Sequence, residues 1–404
     1  MSKLSGKRIT FVGLNYFPED TAIGLYSTHM VEKLVEKGAQ VTVVTAFPYY
    51  PQWKINDSYS DKKSYLKESH NGANVYRYKQ YVPEQPTFFK RILHILSFAK
   101  GTYFNLRKIK QADIVISVIP FTASAWLGSF HARKRQAKHW IHIQDFEFDA
   151  ALQAGVSTGK SFIFKQLFKY EKRILNSAQR VSTISYKMME KLNQKTLSKS
   201  YYLPNWIDSN MVDATTFSQH PYFQGNKFKL LYSGNVGDKQ DWDFFLAFAK
   251  ALPQQHYDII IVGAGAKYAA LKRDMQLQNV HFYDPVPFSE LSDLLCSTNA
   301  HFLFQKMDVL DTVMPSKLLG MMASAKPSIV LGHVDSEVRR VMEEASAGHY
   351  MVNPDVSKAV EQVEFWRLNP EKTLSMGVHA RSYALSTYGK ESILEKWIQE
   401  LEAL

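Results

Sequence analysis

Apolar residues in the first half of the chain come in short unbroken runs. Ile9 to Gly13, Val41 to Thr45, Asp113 to Val118 and His139 to Ile143 are the clearest. Continuous β-branched runs of this length predict strands covered on both faces, as in a parallel sheet. Between the first two runs, Tyr26 to Val35 has helical spacing, and Gly38 predicts where that helix stops. The pattern then restarts with a strand at Phe228 to Ser233, a helix at Asp243 to Leu252 and a strand at Asp258 to Val262. Further strands are predicted at Val280 to Tyr283, Ala300 to Phe304 and Ser328 to Leu331.

Two strand–helix series in tandem predict an α/β chain of two doubly wound, Rossmann-like domains facing across a cleft. The expected boundaries are 1–205 and 206–388. The polar stretch from Pro204 to Asn226, with Pro221 and Gly225, reads as the link. A length of 404 residues suits two domains. Ligands in this architecture bind at the carboxyl ends of the strands, so candidate chemistry belongs in the turns that follow them.

The richest such turn runs from Asp311 to Ser324 and predicts a loop feeding a helix. Pro315 suits a first-turn position, where its missing N–H is not needed. Ser316 and Lys317 then place a hydroxyl, a cation and unpaired backbone N–H groups at the positive end of the helix dipole. That is a ready site for a diphosphate; the same string also reads as a capped helix start with a solvated lysine. In Tyr232 to Gln240, Gly234 and Gly237 let the backbone approach a ligand, and Lys239 could reach the same anion. This string also reads as an ordinary turn with a surface lysine. Gly263 and Gly265 form a Gly-x-Gly turn after a strand, but Tyr268 holds the position where a dinucleotide fingerprint needs Gly or Ala. A glycine turn at the cleft floor is the better reading. In the first half, Gly24 ends a long loop at a strand's carboxyl end, where a helix N-terminus could meet a ligand. Asp145, Glu147 and Asp149 follow another strand; one could stabilise developing positive charge, or Asp145 or Asp149 could cap a helix.

The formal net charge of +11 points to polyanionic partners. The segment Gln85 to Ala112 has no acidic residue and interleaves Lys90, Arg91, Lys100, Arg107, Lys108 and Lys110 with aromatic and aliphatic side chains. It predicts a basic amphipathic helix lying on an anionic membrane surface, the simpler reading being an internal helix with solvated lysines. The cations sit beside apolar residues instead of lining a stacking groove, which argues against nucleic acid. The single cysteine, Cys296, excludes a disulfide framework and a cysteine-ligated metal site. The thirteen histidines show no metal spacing, and no P-loop occurs. The N-terminus lacks a signal-peptide apolar core, and no apolar run approaches the roughly 20 residues that span a bilayer. These features predict a cytoplasmic protein, peripheral on the inner face of the membrane.

Several strings together resemble the family-4 glycosyltransferases of the GT-B fold, in their WcaI-like, exopolysaccharide (colanic-acid-type) branch. They are Gly13 to Gly24, Val44 to Trp53, Gln144-Asp145, Leu203 to Trp206, Tyr232 to Asn235 and Val313 to Lys317. The resemblance implies retaining transfer from a nucleotide diphosphate sugar, UDP favoured and GDP the other candidate, to a lipid-linked oligosaccharide in surface polysaccharide assembly. It implies no cofactor and no metal. The first domain would take the acceptor and the second the donor, with 389–404 a terminal helix crossing back to the first. Lys239, Ser316 and Lys317 would hold the diphosphate, with Gly234, Gly263, Pro315 and Leu318 around it and Gly24 admitting the first-domain loop. Asp145 would lie near the reacting sugar, and Val286 in the turn 285–288 would border the base.

The sequence departs from that family at four positions. Two glutamates usual in the 312–320 stretch are Thr312 and Gly320 here. Asp311 or Asp308 would have to take over the sugar contact. The usual arginine beside the phosphate lysine is Asn235, and the usual first-domain histidine is Gln144. These absences leave a second reading open: a catalytically silent GT-B scaffold of a polysaccharide assembly complex.

Overall fold

The computed structural model describes residues 2–20, 22–85, 87–120, 122–149, 162–309 and 316–404. The chain divides into two compact units. Unit 1 is Met1–Pro204 with Leu394–Leu404, and unit 2 is Asn205–Ile393.

Unit 1 contains, in order, β1 (Arg8–Val12), α1 (Ala22–Glu36), β2 (Gln40–Ala46), β3 (Tyr65–His70), β4 (Ala73–Tyr78), α2 (Phe88–Lys108), β5 (Ile114–Ile119), α3 (Thr122–Arg135) and β6 (Lys138–Ile143). It continues with α4 (Phe162–Leu175), β7 (Arg180–Thr183), α5 (Tyr186–Lys195) and β8 (Ser200–Tyr202). Its eight strands run in the order β3-β4-β2-β1-β5-β6-β7-β8. All neighbours are parallel except β3 and β4. The unbroken runs read from the sequence are the central strands; every residue of β5 is buried. The β3–β4 hairpin escaped the sequence reading because its positions alternate between exposed and covered, as an edge strand requires.

α1 ends where Gly38 takes φ +83° and its N–H donates to the Val35 carbonyl at 2.8 Å, so the predicted stop is a left-handed cap. α2 lies against β4 at Gly101, where an added Cβ would stand 2.0 Å from the Tyr78 ring.

Unit 2 contains β9 (Phe228–Ser233), α6 (Trp242–Ala251), β10 (Tyr257–Val262), α7 (Tyr268–Asp274), β11 (Val280–Tyr283), α8 (Leu291–Cys296), β12 (Ala300–Phe304), α9 (Ser316–Ala323), β13 (Ser328–Leu331), α10 (Glu337–Glu344), β14 (Gly348–Met351), α11 (Val356–Leu368) and α12 (Pro370–Tyr388). Its parallel sheet has the order β11-β10-β9-β12-β13-β14. The stretch after Pro204, read as a link, is packed into this unit. Ile207, Val212 and Phe223 join its core, and His220 donates its N–H to Ser297 Oγ at 2.8 Å. Polar side chains there hold the backbone of an irregular segment, which is why it shows no period.

The last helix, α13 (Lys390–Glu402), is counted in unit 1 from Leu394 onward. Its buried Trp397 meets Trp140 edge to face at 6.3 Å, and Glu400 pairs with Arg180 at 3.1 Å.

Candidate anion site on unit 2

The carboxyl ends of β9, β10 and β12 gather the turns singled out in the second half. Lys317 occupies the first turn of α9. Its ammonium donates to the Tyr232 hydroxyl at 3.1 Å and lies 4.9 Å from the centre of that ring. Tyr232 in turn donates to the Asn235 carbonyl at 2.6 Å. Burial raises the Tyr232 pKa, so the phenol stays neutral and serves both partners. Sequence reasoning passed over Tyr232; its only signal was a polar-tipped aromatic at the end of a buried strand.

Gly234 has φ +138°, and an added Cβ would stand 2.3 Å from Lys317 Cε. The glycine and the lysine predicted to share an anion are thus in contact. Gly263 and Gly265 serve a different closeness. A Cβ on Gly263 would stand 2.0 Å from the Gly234 carbonyl oxygen; one on Gly265 would meet the Val236 oxygen at 2.4 Å and Asn235 Oδ1 at 2.5 Å. The two glycine turns pack on each other, and Val236 N–H donates to the Ala264 carbonyl at 2.9 Å.

Lys239 lies further along the β9 turn with its side chain exposed, and its carbonyl accepts from Lys306 N–H at 3.0 Å. Leu318 is buried in the unit 2 core, so only its first-turn backbone N–H remains for a ligand. Val286 is half-buried beyond β11, against the same core. Asp311 and Pro315 lie outside the described residues, as does the side chain of Ser316. Gly320 faces Leu295, whose Cδ1 would be 3.3 Å from an added Cβ.

In unit 1, Asp145 is exposed just past β6. Its two neighbours are committed. Glu147 accepts from the Thr122 N–H at 2.8 Å and so caps α3, and Asp149 pairs with Lys191 and Lys195, both at 2.7 Å. The cap on α3 is thus Glu147, where the sequence pointed to Asp145 or Asp149. Gly24 meets its own loop: a Cβ there would stand 2.6 Å from the Glu19 oxygen. Glu19, not singled out from the sequence, is buried and accepts from the backbone N–H of Tyr49 and of Tyr50, both at 2.8 Å, and from Asn15 at 2.8 Å. Burial raises its pKa against those three donors. It anchors a cavity of about 420 Å³ whose wall includes Pro48, Tyr50 and Gln52.

His139 and His142 on β6 are both buried and held by serines, Ser117 at 3.0 Å and Ser182 at 2.9 Å. Gln144 reaches His142 Nε2 at 2.9 Å. Among the described residues no group of three or more His, Cys, Asp and Glu could hold a metal ion.

Residues 21–206 match the family model described as a glycosyl transferase 4-like domain. Over 98% of this chain and 99% of its own, WcaI of Escherichia coli (strain K12) is 32% identical; its name gives it as a colanic acid biosynthesis glycosyl transferase. The chain belongs to the family-4 glycosyltransferases. Solved structures agree on the fold. Sucrose-phosphate synthase of Thermosynechococcus elongatus superposes with a TM-score of 0.75 at 12% identity, 98% of each chain being covered. HepE of Anabaena, solved with UDP and glucose, gives 0.68 at 11% identity over 98% of this chain and 99% of that one. The two Rossmann-like units of this glycosyltransferase thus have the GT-B fold.

The basic segment of the transferase forms α2. Its inner face buries His94, Phe98, Thr102 and Leu106, while Phe89 (77% exposed), Leu93 (55%) and Leu96 (60%) face outward among Lys90, Arg91 and Lys100. No helix among the described residues is long and apolar enough to cross a membrane.

Proposed function

We propose that this glycosyltransferase moves a sugar from a nucleotide diphosphate sugar, a UDP-sugar in first place and a GDP-sugar in second, to a lipid-linked oligosaccharide during assembly of a surface polysaccharide of the colanic acid type. The observation that carries the reading is Lys317 lying over Gly234 at the start of α9. A cation and the first-turn N–H groups of a helix converge there, beside backbone that a side chain would block. In the reaction the bond between the anomeric carbon and the diphosphate oxygen breaks, and the nucleoside diphosphate leaves with the electron pair. The acceptor hydroxyl bonds to the same face of that carbon and passes its proton to the departing diphosphate oxygen. Lys317, with Lys239 and the α9 terminus, stabilises the charge on the departing phosphate, a task that needs no metal. Asp145 would serve the reacting sugar, Asp308 or Asp311 would take over the sugar contact, and Val286 would border the base. The acceptor sugar uses the Glu19 cavity of unit 1. The name of WcaI and the UDP in HepE support the substrate classes.

The test is a donor screen with a polyprenyl-diphosphate sugar acceptor, read by product mass spectrometry. A product one sugar heavier is expected with one nucleotide sugar. Thr312 and Gly320, where the family carries glutamates, favour the silent scaffold as second reading. No product with any donor, together with no calorimetric binding of nucleoside diphosphates at millimolar concentration, would select it.

The outward face of α2 rests on the anionic inner surface of the membrane. Its apolar side chains enter the interface while Lys90, Arg91 and Lys100 face lipid phosphates. Wild-type protein should sediment with anionic vesicles, and Lys90→Glu/Arg91→Glu/Lys100→Glu should not. Wild type that stays in the supernatant ends this assignment.

A further inference from the structure

The amino edge of the unit 1 sheet, opposite the strand ends discussed above, holds a cavity of about 790 Å³. It lies beneath the starts of three adjacent strands, β1, β5 and β6. Its wall carries Lys3, Lys7 and Arg8 from the N-terminal segment, Lys110 from beyond α2, Lys134 and Arg135 from the last turn of α3, and Lys138 from the start of β6.

Two carboxylate side chains stand among these cations, and both are engaged. Asp113 takes Arg8 in a two-pronged pair, at 2.6 and 3.0 Å, and this pair holds the Asp113 pKa down at about 2. Glu402 accepts from the Ser2 hydroxyl at 2.5 Å and from Lys3 N–H at 2.8 Å. Lys7 acts on Asp113 only through space, and Lys110, Lys134, Arg135 and Lys138 make no ion pair with a carboxylate among the described residues. Arg135 Nε is buried and makes no hydrogen bond there.

Some of this charge has an ordinary structural use, since cations on the last turn of α3 suit its dipole. That use does not extend to Lys7, Lys110 and Lys138, which lie outside helices. Like charges around one concavity repel, and low-dielectric walls focus their field into it. The volume falls within the roughly 300–1,000 Å³ of small-ligand sites.

We propose that this cavity binds a multivalent phosphate anion, a linked di- or triphosphate group. Several ammonium point charges spread around one space suit several phosphate oxygens better than one carboxylate. The group could come from a lipid headgroup or from a soluble polyphosphate. The site is independent of the glycosyl-transfer reading: all its residues lie in unit 1, at the opposite edge of the sheet from Asp145.

The experiment is calorimetric titration of the full chain with inorganic tripolyphosphate at two ionic strengths. Wild type should bind with an affinity that falls as salt rises. Lys7→Gln/Lys134→Gln/Lys138→Gln should weaken that binding at least tenfold, while Lys7→Arg/Lys134→Arg/Lys138→Arg keeps it within threefold. All three lysines are exposed, so both variants should melt like wild type. Lys239→Ala/Lys317→Ala should retain the cavity binding. Vesicles carrying a polyprenyl diphosphate that compete with tripolyphosphate would make a headgroup the source; failure to compete would make it a soluble phosphate. Unchanged affinity in the glutamine variant, or loss of all binding in Lys239→Ala/Lys317→Ala, overturns the proposal. So does binding of many weak equivalents insensitive to the glutamine substitutions.

Discussion

Lys317→Ala should lower kcat for sugar transfer by about 10²–10³-fold, the cost of deleting one preorganised group that stabilises transition-state charge. The ammonium stands 3.1 Å from the Tyr232 hydroxyl, a hydrogen bond that holds it over Gly234. Folding should suffer little. The substitution removes a half-exposed contact over an aromatic ring, worth about 0.5–1 kcal/mol. Tyr232 keeps its bond to the Asn235 carbonyl, so its hydroxyl is not orphaned. Lys239→Ala should act in the same direction. Gly234→Ala makes an independent check, because its Cβ would displace Lys317 while every charge is kept. The measurement is kcat beside Tm for each variant. Turnover within threefold of wild type in Lys317→Ala would remove the phosphate clamp.

The parts of this molecule legible in its sequence are those fixed by local pattern. Continuous apolar runs such as Asp113 to Val118 announced the central parallel strands because both faces of each are covered. Gly38 announced a helix end because a left-handed residue suits it. The meeting of Gly234 with Lys317 was half legible: each turn marked itself, but their contact depends on β9 and β12 being neighbours in the sheet. Tyr232 had no separate signal, since its hydroxyl matters only through what reaches it from α9. Gly24 and Gly263 are read from the sequence as room for a ligand, and a Cβ on either would meet the protein's own Glu19 or Gly234. A glycine marks a close approach without naming what approaches. The basic cavity was illegible for a related reason. Its walls come from residues 3–8, 110–114, 134–138 and 401–404, and no window along the chain contains more than a fragment.

Acidification should unfold unit 1 well before unit 2. Burial keeps His139 and His142 neutral down to about pH 3. His131, buried and beside Arg135 and Lys134, stays neutral down to about pH 4. In the unfolded chain each imidazole takes up a proton near its ordinary 6.5. Between those limits the unfolded state binds more protons, so stability falls as pH falls. Each such histidine contributes about 1.4 kcal/mol per pH unit, and three acting together contribute about 4 kcal/mol per pH unit. Unit 2 has one equally deep histidine, His301, neutral down to about pH 3. Domain stabilities of about 5–15 kcal/mol mean that one to two units below pH 6.5 would exhaust much of unit 1. Glu19, Glu147 and Glu171 work in the opposite sense. Burial raises their pKa values, so they lend stability as pH falls into the carboxylate range and flatten the lower end of the curve. The steepest loss should therefore begin just below pH 6.5, where the histidines act alone. Calorimetry at pH 7, 6 and 5 should show one transition falling fast and another slowly. His139→Gln keeps a hydrogen-bonding side chain beside Ser117 and should make the faster slope shallower. Two transitions descending in parallel would mean that these imidazoles do not govern the response to acid.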